Sequence, residues 1–182
     1  MNYYYLMASL PDFDIDDPPP LLPEEFRKLC GEHLTGTDLE AVDELITPSR
    51  EDVGNNFVAD WREFDTQLRN SIAKARAARL GQDPADHLRE QKGFDGLVDK
   101  AVSDAFLKDN PLAREKALDL FRWERLGELA GFNPFAGRAV LAYTLKLLLA
   151  RRWAQMDADE GGRKADDTIT RDPADDKDGD DG

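Results

Sequence analysis

Apolar side chains along this chain recur at spacings of three and four, the period of an α-helix packed on one side. The clearest stretch runs from about Asn56 to Leu80, where Phe57, Trp61, Phe64, Leu68, Ile72 and Ala75 form one seam and Gly81 follows as a C-terminal stop. Upstream, Pro23 suits a first helical position and Glu24 and Glu25 suit the positive end of a helix dipole. Phe26, Leu29, Cys30, His33 and Leu34 then make a stripe that Gly36 ends. Thr37 with Glu40 has the spacing of a capping box, predicting a short helix with Val42, Leu45 and Ile46 inward before Pro48 stops it. Asp83-Pro84 starts another short helix, and Phe94 to about Lys108 carries Leu97, Val98, Ala101, Val102 and Ala105. Asn110-Pro111 opens a helix whose Leu118, Leu120, Phe121, Trp123, Leu126 and Leu129 occupy more than one face, which predicts burial by several neighbours. Asn133-Pro134 opens the last, with Val140, Leu141, Leu145, Leu148, Leu149 and Trp153 inward. No β-branched or aromatic run alternates cleanly between turn signals. The fold class read from this pattern is all-α, an irregular multi-helix bundle of about six or seven helices.

The first residues, MNYYYLMASLP, place Tyr3, Leu6, Met7 and Leu10 at i, i+3, i+4 and i+7. That pattern favours a short helix ending at Pro11 over a strand. The stretch lacks the basic flank and long apolar centre of a signal peptide, so the chain reads as cytoplasmic. The densest apolar run, AVLAYTLKLLLA, is interrupted by Lys146 and falls short of the roughly 20 residues that cross a bilayer, so it reads as a core helix.

Charge divides the chain. The formal net charge is -14 over 182 residues. Asp157–Gly182 holds eleven acids against four bases, a net of -7, with Ile169 as its one large aliphatic residue. Such a segment cannot bury enough apolar surface to offset its ordering entropy. The expected organisation is therefore one all-α domain over 1–156 and a disordered acidic tail over 157–182. The connector DFDIDDPPPLLP, with Pro18, Pro19 and Pro20, reads as an extended linker. A chain this acidic repels polyanions, which argues against nucleic acid as a partner.

Candidate chemistry is sparse. Asp12, Asp14 and Asp16 begin like a calcium loop, but Asp17 stands where the turn needs glycine and Pro23 where a bidentate Glu is needed. His33 and His87 lie far apart without zinc-site spacing and read as partly buried helix residues. No phosphate-cradling glycine loop and no GxSxG elbow is present. Cys30, the one cysteine, sits beside Leu29 on an apolar face and reads as a small hydrophobe. No catalytic, cofactor-binding or metal-binding residue is assigned. Arg62, Arg69 and Arg76, seven apart, form a basic stripe beside the apolar seam of their helix. The stripe is either a solvated face, partly paired through Asp65 and Arg69, or a docking strip for an acidic partner.

Three stretches carry a resemblance: YYYLMASLPDF, WREFDTQLRNSIAKARAARLGQDPADHLR, and EKALDLFRWERLGEL followed by FNPFAGRAVLAYTLKLLLARRWAQMDADEG. In that order and spacing, across nearly all of 3–162, the chain resembles an uncharacterised bacterial family encoded with V-type (A/V-type) ATPase subunits. That family is itself distantly similar to the V-type ATPase C subunit, the d-subunit homologue. The resemblance implies a fold similar to part of the C subunit, which is commonly built from three repeated helical units; this chain has room for only part of that. It also implies a non-catalytic adaptor of the central stalk between the central shaft and the membrane rotor ring, serving ion or proton transport coupled to ATP. Its partners would be other ATPase subunits, and its place cytoplasmic, peripheral to the inner membrane through the complex. In C-subunit proteins the tyrosine-bearing segment packs within the helical body, so Tyr3 to Leu10 is expected in the core. Arg62, Arg69, Arg76, Trp123 and Trp153 are the candidate partner contacts, with core packing the competing reading for both tryptophans. A free-standing helical adaptor or assembly factor using the acidic tail is the alternative, and an enzyme of unrecognised type is a third reading.

Overall fold

In the computed structural model the described residues are 3–49 and 53–170, with side chains through 158. They form seven α-helices with no strand: α1 (Tyr4–Ser9), α2 (Pro23–His33), α3 (Thr37–Ile46), α4 (Asn56–Leu80), α5 (Gly96–Phe106), α6 (Pro111–Ala130) and α7 (Gly137–Thr170). A single 3-10 turn, Ala85–His87, stands where Asp83-Pro84 predicts a short helix. The all-α reading holds, and α4 has the bounds its periodicity predicts.

Helix ends explain the bounds. Asn55 Oδ1 accepts from the backbone N–H of Phe57 at 2.9 Å, opening α4. Gly81 closes it in the left-handed region at φ 64°, while Gln82 N–H returns to the Ala77 carbonyl at 2.9 Å. Asp95 and Asn110 accept in the same way from Leu97 and Leu112, opening α5 and α6. Three predicted starts differ, the first being α5, which opens at Gly96 and leaves Phe94 exposed outside it. The Thr37/Glu40 capping box is not formed: Gly36, at φ 60°, takes the cap position and its carbonyl accepts from Leu39 and Glu40 N–H at 3.1 and 3.2 Å. Asn133-Pro134 makes a turn, Asn133 Oδ1 accepting from Phe135 N–H at 3.0 Å, and α7 begins at Gly137. There a Cβ would come within 2.9 Å of the Asp38 carboxylate, so a side chain at that position would crowd α3.

The core lies in two joined clusters. One gathers Tyr3 and Leu6, Phe26 and Cys30 of α2, Val42 and Leu45 of α3, Phe57 and Val58 of α4, Leu126 of α6, and Val140 to Leu147 of α7. The other gathers Phe64, Leu68 and Ile72 of α4, Val98, Val102 and Phe106 of α5, and Leu118 of α6. Trp61 packs against both. Helices α4 and α6 thus thread both clusters in opposite directions, as the pairing of Phe64 with Phe121 and of Arg76 with Glu115 also requires. By contrast α4 and α5 run parallel, and the chain between them returns along α4. Buried Asn70 holds that return by donating to the Arg89 carbonyl at 2.7 Å and accepting from Arg89 N–H at 2.9 Å. Ser71 Oγ and Gln67 Nε2 fasten α5 through Asp99 and the Asp95 carbonyl.

The N-terminal aromatics divide as the helical spacing predicts. Tyr3 and Leu6 are buried, and the Tyr3 hydroxyl donates to Asp38 Oδ2 at 2.6 Å. Desolvation and the Asp38 carboxylate push that phenol well above its ordinary range. Tyr4 and Tyr5, in contrast, face outward, so the segment contributes one face to the core and not the whole of Tyr3 to Leu10. His33 and His87 are exposed, against the expectation of partial burial. The helix of Gly137 continues past 156 to Thr170, so 157–170, expected as the start of a disordered tail, has helical backbone. The rest of that expected tail lies outside the described residues. No helix among the described residues is long and apolar enough to cross a membrane.

Cys30 gives a pH-dependent test of packing. It is fully buried, and burial pushes its thiol up to about 12. An unfolded thiol ionises near pH 8.5. Between about 8.5 and about 12 the unfolded chain therefore binds fewer protons than the native one, and stability falls as pH rises, by about 1.4 kcal/mol per pH unit from this group. Urea midpoints measured between about pH 8.5 and 9.5, below ordinary tyrosine ionisation, should decline more steeply in the parent than in Cys30→Ala. Equal slopes would assign the loss to other groups.

Candidate functional site: an arginine-lined cleft

Two charged side chains are buried on helices whose same faces carry other charges: Glu115, Lys116 and Arg122 flank Asp119 at i−4, i−3 and i+3, and Glu40 precedes Glu44 by one turn. Asp119 precedes Leu126 by seven residues on α6, and Glu44 stands between Ala41 and Leu45 on α3. A carboxylate without water needs partners, and each has them. Asp119 accepts from Arg122 Nη1 at 2.7 Å, from Arg152 Nη1 at 2.8 Å and from the Trp153 indole N–H at 3.0 Å. Glu44 pairs with Arg62 and accepts from Ser49 N–H at 3.0 Å.

These groups line one cleft of about 1000 Å³ between the end of α3, the middle of α4, α6, α7 and the return segment at Arg89. Arg62, Arg69, Arg89, Arg122 and Arg152 face it with Glu44, Asp65 and Asp119, five guanidinium groups against three carboxylates. Its apolar floor is Leu45, Trp61, Leu145 and Leu149, with Pro48 at the edge. Asp65 joins Arg69 at 2.6 Å and Arg122 at 3.4 Å, so the ion pairs form a continuous network from α4 to α7. The Arg69 side chain is 60% exposed and its ion pair is with its own helix, whereas Arg89 has no ion-pair partner among the described residues. An adjoining cleft of about 550 Å³ shares Arg69 and Arg122 and adds Arg76, which reaches Glu115 at 3.3 Å.

The predicted stripe is therefore placed as follows. Arg62 and Arg69 share the larger cleft, and Arg69 and Arg76 the smaller. The tryptophans are elsewhere. Trp153 is 6% exposed and packs in the core under Lys116, which corrects its reading as a surface contact; its part in the cleft is indirect, through Asp119. Trp123 is half-buried on another face of α6, edge-on to Phe13 and beneath Lys146, whose ammonium burial pulls below its ordinary range. Sequence reading missed Arg89, Arg122, Arg152, Asp119 and Glu44. Helical period gave no signal for them, because charged residues neighbour Asp119 and Glu44 on their own helix faces and Arg89 lies outside any helix.

The fold and the site define a helical protein whose one face gathers basic side chains against an otherwise acidic chain. A family model described as "Protein of unknown function (DUF2764)" matches residues 97–171. That stretch spans nearly all of α5, then α6 and α7, and it contributes Asp119, Arg122 and Arg152 to the cleft. No curated protein and no solved structure matches the chain.

Proposed function

We propose that this chain is a non-catalytic helical adaptor of a bacterial V-type rotary ATPase, similar to the C subunit and serving as a component or accessory protein between the central shaft and the membrane rotor ring. The observation that carries the proposal is that the three stretches bearing the resemblance pack into one body. Tyr3 N–H donates to the Phe135 carbonyl at 2.7 Å, joining the first stretch to the third. Arg138 of the third reaches Asp60, just before the second, at 2.9 Å, and Arg122 reaches Asp65 within it. An element that passes torque has to resist bending, and two long helices crossing both core clusters meet that need. The arginine-lined cleft supplies a surface for an acidic partner.

The test is affinity purification of the tagged full-length protein from gently solubilised membranes of its own host, with mass spectrometry and an ATPase assay on the eluate. Co-purification of catalytic and rotor-ring subunits in fixed ratio is expected. A protein recovered without them would overturn the ATPase reading. It would favour the alternative, a free-standing cytoplasmic adaptor or assembly factor, for which the acid-rich end of the sequence is the motivating feature. Removing residues 171–182 separates the two: the stalk adaptor keeps its partners, whereas the free-standing factor loses its client.

A further inference from the structure

We propose that the arginine-lined cleft is a docking groove for an acidic, leucine-bearing amphipathic segment of a partner protein. The inference rests on the adaptor reading, though not on the partner being part of an ATPase. Charge makes the first case. The chain carries a formal net charge of -14, yet guanidinium groups outnumber carboxylates in this groove, so an acidic ligand is repelled by the chain at large and favoured here. Arg89 and the exposed Arg69 are the groups able to take new carboxylates, because the buried acids already hold Arg122 and Arg152. Planar guanidinium forks match carboxylates in paired hydrogen bonds, which gives register as well as attraction.

Shape and polarity make the second. A volume of about 1000 Å³ exceeds what a single oxyanion fills, and the floor of Leu45, Trp61, Leu145 and Leu149 offers nothing to charge. A segment with carboxylates along its sides and leucines beneath them meets both surfaces, as helices do when they lie in a groove. The chain's own acidic end is a poor occupant, because Ile169 is the one large aliphatic residue in 157–182.

The experiment measures fluorescence anisotropy of the full chain with a short labelled helical peptide that interleaves glutamate and leucine. Binding is expected to weaken as salt rises from about 0.01 M to about 0.15 M. The double variant Arg69→Gln/Arg89→Gln, its fold checked by circular dichroism, should weaken binding about tenfold. Lys100→Glu, on α5 outside the cleft, should leave it unchanged. Three results would overturn the proposal: no loss in the double variant, equal affinity for a leucine-free oligoglutamate, or displacement of the probe by inorganic phosphate. Tighter binding of a peptide matching 157–182 would overturn it too, making the groove a site for the chain's own end. Peptide binding without ATPase subunits in the purification would retain the groove and discard the ATPase; the converse result would do the reverse.

Discussion

Asp119→Ala is expected to lower the stability of the protein by about 3–5 kcal/mol, the cost of breaking one side of a buried ion pair. The carboxylate is inaccessible to solvent and takes three donors: two guanidinium groups and an indole. Without it, the Trp153 N–H stays buried without its acceptor. Arg122, whose side chain is 14% exposed, keeps its charge with Asp65 as its remaining partner at 3.4 Å. Arg152 can turn to water, so the loss concentrates on the other two. For a chain of this length the change corresponds to a fall in Tm of roughly 6–20 °C. Urea denaturation followed by tryptophan fluorescence measures it directly. Asp119→Asn serves as the milder variant, because an amide keeps the volume and one acceptor while giving up the charge. An Asp119→Ala protein as stable as its parent would mean that the network is worth no more than a surface pair, about 0–1 kcal/mol.

That network also marks where the sequence stopped being informative. Period and punctuation are local properties, and they located the elements: Pro23 and Asn110-Pro111 at helix starts, Gly81 at a stop, and the seam from Phe57 to Ile72 facing inward. Thr37 misled because a capping-box pattern is silent about the residue before it, and Gly36 could adopt the positive φ that shifts the start back by one. Pro134 misled because Asn133 bonds within a turn there, and the helix begins only where Gly137 clears Asp38, a residue 99 positions earlier. The arginine stripe on α4 was visible because its members are seven apart on one helix. Its completion by Arg89, Arg122 and Arg152 was not, since those side chains meet it only through the return of the chain along Asn70, the antiparallel pairing of α4 with α6, and the contact of α7 with α6 at Asp119. Trp153 looks the same in sequence whether it fills a core or meets a partner; the buried Asp119 beside it decides the matter.

Leu68→Ala tests α4 from its core face and is expected to cost about 2–5 kcal/mol. Leu68 is fully buried in the second cluster, one residue before the largely exposed Arg69. Adjacent positions on a helix point about a quarter-turn apart. Its packing against α5 and α6 thus sets the angle at which α4 presents its arginines to the cleft. Truncation leaves a cavity that the long helix α4, held at both ends by separate clusters, is poorly able to collapse. Because α4 passes through both clusters, the loss should lower one common transition, with far-UV circular dichroism and tryptophan fluorescence changing together. Two separated transitions would mean that the clusters unfold independently, and that the α4–α5–α6 lobe is a unit of its own. A coincident but unshifted transition would mean that α4 shifts to fill the space. Under native conditions the folded variant should still bind the acidic peptide, since the arginines are untouched. Loss of binding without loss of fold would show that the groove depends on the angle of α4 and not on its charges alone.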